Sequence, residues 1–256
     1  MIWLFACLLI NFVFWYGAMD NMFERSSLLL GADGIEKLNN SHVWVFGVGG
    51  VGGYCAEALV RAGVGSITVV DNDYVSVSNI NRQIIALRST VGMSKVVAFK
   101  KRALDINPCV KVTAIHKMYL PSNSDEFDFS KADYVVDCVD NVSAKIELAL
   151  KASEWNVPVI ASMGTGNKLD NTGFEITDIY KTHTDALAKV MRRELKKRGI
   201  KKLNVVYSPK ESAPHTLVFE GKRPVTASVP WVPPVGGFTA AYKVVSDLVN
   251  GGNNNV

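Results

Sequence analysis

One stretch, Val43–Arg82, restricts what this chain can fold into more than any other: VWVFGVGGVGGYCAEALVRAGVGSITVVDNDYVSVSNINR. It opens as an apolar run of β-branched and aromatic residues and breaks into glycines. It then continues with helical spacing and returns to a strand that ends on Asp71. This order reads as strand, turn, helix and strand. The run Gly47-Val48-Gly49-Gly50-Val51-Gly52 satisfies G-x-G-x-x-G in the context that gives the pattern meaning, after a strand and at the opening of a helix. Glycines let a phosphate approach the backbone, and the helix N-terminus offers N–H donors and the positive end of a dipole. The pattern alone does not separate a dinucleotide from ATP.

Alternating strands and helices continue downstream. Strands are predicted over Ser41–Phe46, Ser66–Val70, Val110–His116, Tyr134–Val139 and Val157–Ser162, with helices over Gly52–Ala62, Lys95–Ile106 and Ser143–Trp155. Strands separated by helices of this length mean an α/β fold with a doubly wound, Rossmann-like, mainly parallel sheet. Additional strands and helices follow at the C-terminal side: a strand over Phe174–Ile179, a basic helix over Ala186–Arg198, a strand over Leu203–Tyr207 and a last helix over Gly237–Val249. The proline-rich stretch 209–234 is too long for a simple connector. Residues 23–40 read as short amphipathic helices broken at Gly31 and Gly34. The expected organisation is one domain over 21–256, with a nucleotide-binding core at 41–165 and a substrate-facing part at 166–256.

Composition excludes several classes. At 256 residues and 48% hydrophobic content the chain can bury a full core, and a net charge of +4 argues for a polyanionic partner only where the charge is clustered. The four cysteines, Cys7, Cys55, Cys109 and Cys138, form no CxxC pair. That argues against a disulfide framework and a paired-cysteine zinc site, and for a reduced, cytoplasmic compartment. The first nineteen residues are uncharged. Three readings stay open for them: a start codon placed upstream of the true one at Met19 or Met22, an anchor giving weak membrane association, or a buried element of the fold.

The candidate chemistry follows the glycine loop. Asp71 ends the second strand about twenty residues on, where an acid meets ribose hydroxyls. The run after it adds Asp73, Asn79, Asn81, Arg82 and Gln83, and Lys95 follows at a helix start. Hydride transfer needs no arginine there; cleavage of a nucleotide's phosphates does, because charge developing on the leaving group must meet fixed donors. Asp137 and Asp140 flank Cys138 at the end of a buried strand, and Asp140 suits Mg²⁺ held on phosphates.

Taken together these blocks resemble the ThiF-type, ubiquitin-activating-enzyme-like adenylating family. The G-x-G-G-x-G loop, the D-x-D of Asp71 and Asp73, S-N-x-x-R-Q, G-x-x-K and D-x-x-D-N fall in order across roughly residues 23–165. The resemblance implies a ThiF-like fold that binds ATP·Mg²⁺ and adenylates a carboxylate, releasing pyrophosphate. Carried over by position, Gly47, Gly49, Gly50 and Gly52 form the ATP loop and Asp71 holds ribose. Asn79, Arg82 and Lys95 hold phosphates, with Asp73 and Gln83 beside them, and Asp140 holds the metal. It further implies a homodimer in which an N-terminal arginine reaches the partner's ATP, and the segment FERSSLLLG makes Arg25 that residue.

The second half narrows the carboxylate. No cysteine follows Cys138, which leaves no conjugating thiol there. The stretches from Gly164 to Ser208 and from Ser228 to Leu248 resemble tRNA threonylcarbamoyladenosine dehydratases, which implies tRNA carrying threonylcarbamoyladenosine as substrate. The basic run of Lys189, Arg192, Arg193, Lys196, Lys197, Arg198, Lys201 and Lys202, interrupted only by the acid Glu194, independently suits a phosphate backbone. Three alternatives stay open: adenylation of the C-terminal glycine of a ubiquitin-like sulfur carrier, a non-catalytic nucleotide-binding module, and a redox enzyme.

Overall fold

The computed structural model describes residues 22–221 and 223–251. The expectations for the uncharged N-terminal run lie outside these residues. Among the described residues no helix is long and apolar enough to cross a membrane.

Residues 22–40 are helical (α1), and Gly31, at φ +74°, breaks the segment where the sequence predicts a break. Gly34 does not break it. A Cβ there would lie 3.2 Å from Val249, so this glycine serves close packing against the chain's last helix. From here strands and helices alternate: β1 (His42–Phe46), α2 (Gly52–Ala62), β2 (Ser66–Val70), α3 (Lys95–Ile106), β3 (Lys111–Ile115), β4 (Tyr134–Asp137), α4 (Val142–Glu154) and β5 (Val159–Ser162). Then come β6 (Glu175–Asp178), α5 (Ala186–Lys197), β7 (Asn204–Tyr207), the short hairpin β8 (Phe219–Glu220) and β9 (Arg223–Pro224), and α6 (Val232–Asn250).

Seven strands form one sheet in the order β3-β2-β1-β4-β5-β7-β6, with every pair parallel except β6 and β7. Both faces are covered, as a parallel sheet requires. Along β1, Val43 and Val45 face a core shared with α2, α3 and α6, while Trp44 and Phe46 face an aromatic cluster with Phe127, Phe129 and Tyr119. A third cluster seats Ala188, Met191 and Leu195 of α5 against β5 and β7.

The last helix begins earlier than its sequence suggests. Pro233 and Pro234 lie in its first turn, where a missing N–H costs nothing and the fixed φ is already helical. The chain reverses direction across the sheet between β1 and β4. The crevice beyond the carboxyl ends of those two strands is the topological switch point, where such sheets bind ligands.

Candidate active site

A cavity of about 570 Å³ opens at this switch point. It is lined by the glycine loop after β1, the acids after β2, the segment carrying Asn79, Arg82 and Gln83, and the turn after β4. Of the sequence-predicted residues it gathers Gly47, Gly49, Gly50, Asp71, Asp73, Asn79, Arg82, Gln83, Lys95 and Asp140.

The loop's geometry follows from its glycines. Gly47 has φ +87°, a conformation other residues rarely adopt, and a Cβ on it would lie 2.7 Å from the Cys138 carbonyl oxygen. Gly52 does not line the cavity. A Cβ there would overlap the Gly47 carbonyl oxygen, so Gly52 lets the loop close on itself. Asp71 holds the loop from the side: its Oδ2 accepts from the Val48 N–H at 2.7 Å and its Oδ1 from the Asp73 N–H at 2.8 Å. Burial pushes the Asp71 carboxyl above its ordinary range, while the Lys95 ammonium and these two N–H donors act the other way.

Lys95 is buried, and its Nζ donates to Asp73 Oδ2 at 2.7 Å across the cavity wall. Arg82 Nη1 donates to the Ser78 carbonyl and to Asn81 Oδ1, each at 2.9 Å, and no carboxylate pairs with it among the described residues. The guanidinium therefore keeps donors for an anion. Asn79 Oδ1 accepts from the Ser76 N–H at 3.1 Å, which fixes the turn that carries Arg82. Two buried polar atoms, Gln83 Oε1 and Tyr119 Oη, have no partner among the described residues, and both side chains border the cavity. Buried polar groups rarely go unpaired without a ligand or water to meet them.

Asp140 is exposed at the rim with no ion-pair partner among the described residues. No group of three potential metal ligands occurs among the described residues. Mg²⁺ on a nucleotide does not need one, since it takes one or two carboxylates and fills its shell with phosphate oxygens and water. The turn that carries Asp140 is fixed from below. Lys145 and Asp137 are fully buried, with Lys145 Nζ 3.0 Å from Asp137 Oδ1 and donating to the Val139 carbonyl at 3.1 Å. Asn141 caps α4 through the Ala144 N–H. Asp137 thus supports the turn, and Lys145, which the sequence did not mark, is its counter-ion.

The remaining predicted residues lie elsewhere. Arg25 is on the exposed face of α1, outside the cavity lining. The basic helix starts at the cavity wall with Leu187 and carries its charge away from it. Its cations are not equivalent. Arg192 is half-buried, and its Nη1 donates to the Thr182 carbonyl at 2.9 Å and to the Thr182 hydroxyl. Glu194 engages Arg193, Lys197 and Arg198, and Arg198 and Arg193 hold its carboxyl down at about 2. Lys189, Lys196, Lys201 and Lys202 are exposed without an ion-pair partner among the described residues.

The ThiF family model matches residues 23–209. The chain belongs to the ThiF family. It is 42% identical over 246 residues to the tRNA threonylcarbamoyladenosine dehydratase of Bacillus subtilis, an alignment that covers 90% of this chain and 96% of that one. It is 32% identical to the sulfur carrier protein ThiS adenylyltransferase of Escherichia coli over 56% of this chain and 58% of that one. Among solved structures it resembles the Escherichia coli tRNA N6-threonylcarbamoyladenosine dehydratase in complex with ATP. There the TM-score is 0.83 at 30% identity, covering 93% of this chain and 98% of that one. The same enzyme in complex with AMP gives a TM-score of 0.84 at 29% identity, covering 91% and 96%. In this ThiF-family chain the wall formed by the glycine loop and the Asp71–Lys95 segment was legible from motifs. Lys117, Tyr119 and Thr226 also line it and belong to none of these motifs, while Thr165 and Ser228 lie at the starts of the two later stretches that carried the resemblance.

Proposed function

We propose that this chain uses ATP to dehydrate threonylcarbamoyladenosine in tRNA, acting in the cytoplasm. One observation supports the reading: a single cavity joins Asp71, Arg82 and Lys95 to a second end that has no reactive thiol among the described residues. Cys138 lines it, but burial pushes its thiol up to about 12, so it is protonated at neutral pH.

In the first step a threonyl carboxylate oxygen attacks the α-phosphorus of ATP. The bond to the bridging oxygen breaks and pyrophosphate leaves. Asp71 orients the ribose, and Lys95, Asn79 and Arg82 meet the charge that grows on the phosphates. Mg²⁺, held through Asp140, would neutralise phosphate charge when bound. In the second step the ureido group of the same nucleoside attacks the acyl carbon and gives up a proton to solvent, the acyl C–O bond breaks, and AMP departs with the former carboxylate oxygen. The sum is loss of one water. An intramolecular attack of this kind has a large effective molarity and needs no enzyme nucleophile. The exposed lysines of α5 would hold the phosphate backbone. The working unit in this reading is a homodimer, with Arg25 of one protomer reaching the nucleotide of its partner.

Incubation with ATP, Mg²⁺ and tRNA carrying the linear modification tests the reading, with nucleosides analysed by mass spectrometry under mild conditions. The expected result is a loss of one water from the modified adenosine, abolished in a folded Arg82→Ala variant. An unchanged nucleoside with the native chain overturns the reading. Pyrophosphate exchange stimulated by a ubiquitin-like protein in place of tRNA would move the substrate to a protein carboxylate.

A further inference from the structure

The far end of the cavity contains three hydroxyls that no role above uses. The sheet order β2-β1-β4-β5 separates Asp71, after β2, from Thr165, after β5, by three strand spacings, or about 14 Å. That span accommodates a ribose and α-phosphate with an acyl group beyond them. Gly164, Thr165 and Gly166 line the cavity here together with Thr226 and Ser228, whose segment packs directly against Gly166 and Asn167.

Both threonines are oriented by glycines. A Cβ on Gly236 would lie 3.3 Å from Thr165 Cγ2, and a Cβ on Gly166 would overlap Thr226 Cγ2. Each methyl is therefore packed against a glycine, and neither hydroxyl has a hydrogen-bond partner among the described residues. The hydrogen bonds that hold this region go to backbone. Asn81 Nδ2 donates to the Ser228 carbonyl at 3.0 Å. The Asn167 N–H donates to the Ala227 carbonyl and the Ala227 N–H to Asn167 Oδ1, each at 2.8 Å. None of these bonds uses the Thr165, Thr226 or Ser228 hydroxyl. Asn81 also accepts from Arg82, so the segment carrying Ser228 is tied to the phosphate-facing guanidinium.

We infer that the hydroxyls of Thr165, Thr226 and Ser228 form the acyl subsite, which recognises the polar threonyl–ureido group next to the carboxylate being activated. A hydroxyl both donates and accepts, so a set of three can meet a ureido N–H, a ureido carbonyl and an alcohol together. An aliphatic acyl chain would displace water from them without replacing its hydrogen bonds. This inference rests on the reading of the preceding subsection and assigns it residues.

The test compares full-length variants Thr165→Val and Thr226→Val with the native chain. It uses calorimetric affinity for ATP and the KM for tRNA bearing either threonylcarbamoyladenosine or its glycyl analogue. Each variant is expected to raise the KM for the threonyl substrate about tenfold and to leave ATP affinity within about twofold. The native preference for threonyl over glycyl should shrink in at least one of them. Thr165→Ser keeps the hydroxyl while losing the methyl contact with Gly236, and should restore the native KM; this separates recognition from packing. Weakened ATP binding with unchanged tRNA KM would place these hydroxyls at the nucleotide, and no change in either would remove them from the site; both overturn the inference. If the native chain itself fails to dehydrate the threonyl substrate, the function reading fails and this subsite with it, a result distinct from a failure seen only in the variants.

Discussion

At the nucleotide end of the cavity, close contacts run from backbone to backbone. A Cβ on Gly52 would strike the Gly47 carbonyl, and one on Gly47 would strike that of Cys138. At the acyl end the same substitution, at Gly166, meets the methyl of a threonine on a long irregular segment. The nucleotide end is also secured by a fully buried ion pair beneath its rim. The acyl end is held by hydrogen bonds of Asn81, Asn167 and Trp231, whose indole N–H donates to the Leu169 carbonyl at 2.8 Å. ATP is the same in every turnover and can be met by a rigid wall. A nucleoside that arrives attached to a folded RNA has to pass a boundary that can adjust.

The largest effect should come from breaking the rigid end. Lys145→Met leaves the Asp137 carboxylate buried without a counter-charge, and removing one partner of such a pair typically costs about 3–5 kcal/mol. The expected outcome is a chain with a sharply lowered denaturant midpoint and weakened Mg²⁺-dependent ATP binding. Asp137→Asn combined with Lys145→Met removes both charges and should recover most of the stability. If Mg²⁺-dependent ATP binding stays weak in the folded double variant, the ion pair acts by placing Asp140. If binding returns with stability, the pair is only a structural support, and the contrast between the two ends is weaker than drawn.

How far the sequence could be read follows the same division. A phosphate is met by consecutive backbone N–H groups and a few side chains close in sequence. The loop Gly47–Gly52 and the cluster from Asp71 to Lys95 therefore stand as contiguous motifs, and the strands and helices that carry them are bounded by clear turn residues. The acyl end joins Thr165 to Thr226 and Ser228, about sixty residues apart, and nothing local marks a threonine whose methyl is seated on a distant glycine. Lys145 was illegible for a related reason. Its position on α4 reads as an ordinary surface lysine until β4 and α4 are packed together. The pairing of Arg192 with Thr182 is tertiary in the same sense: charge density along α5 could be counted, but which cations are already engaged could not.

On the RNA side, the engaged and unengaged cations of α5 should behave differently. α5 is 12 residues long, about 18 Å, and begins at the acyl end of the cavity. Lys189→Ala with Lys196→Ala removes two cations that have no ion-pair partner among the described residues. Arg193→Ala removes one that already sits 2.9 Å from Glu194 Oε1. If these lysines each neutralise a phosphate, the double variant should bind tRNA about tenfold more weakly at moderate salt. Its log K against log salt slope should fall in magnitude by about 0.7–0.9 per lost contact. Arg193→Ala should change the slope less. Equal slopes in all variants would mean that the basic face is simply solvated and that RNA is held elsewhere.

The smallest effect is expected at the boundary between the two ends, where Cys138 lines the cavity. If catalysis passed through a thioester, Cys138 would be the nearest thiol. Burial is the first reason it does not. It pushes the thiol up to about 12, and although the Lys145 ammonium acts the other way, the Asp137 carboxylate adds to the rise. The pKa lies far above neutrality, so raising the pH from 7 to 9 increases the thiolate fraction yet leaves it about a thousandth or less. Cys138→Ala should therefore retain dehydration within a few-fold of native. Native protein treated with iodoacetamide at pH 8 should show no alkylation at Cys138 by peptide mass mapping. A Cys138→Ala variant that still forms acyl-adenylate but cannot complete ring closure would show instead that the acyl group crosses the boundary on sulfur, and the intramolecular attack would have to be abandoned.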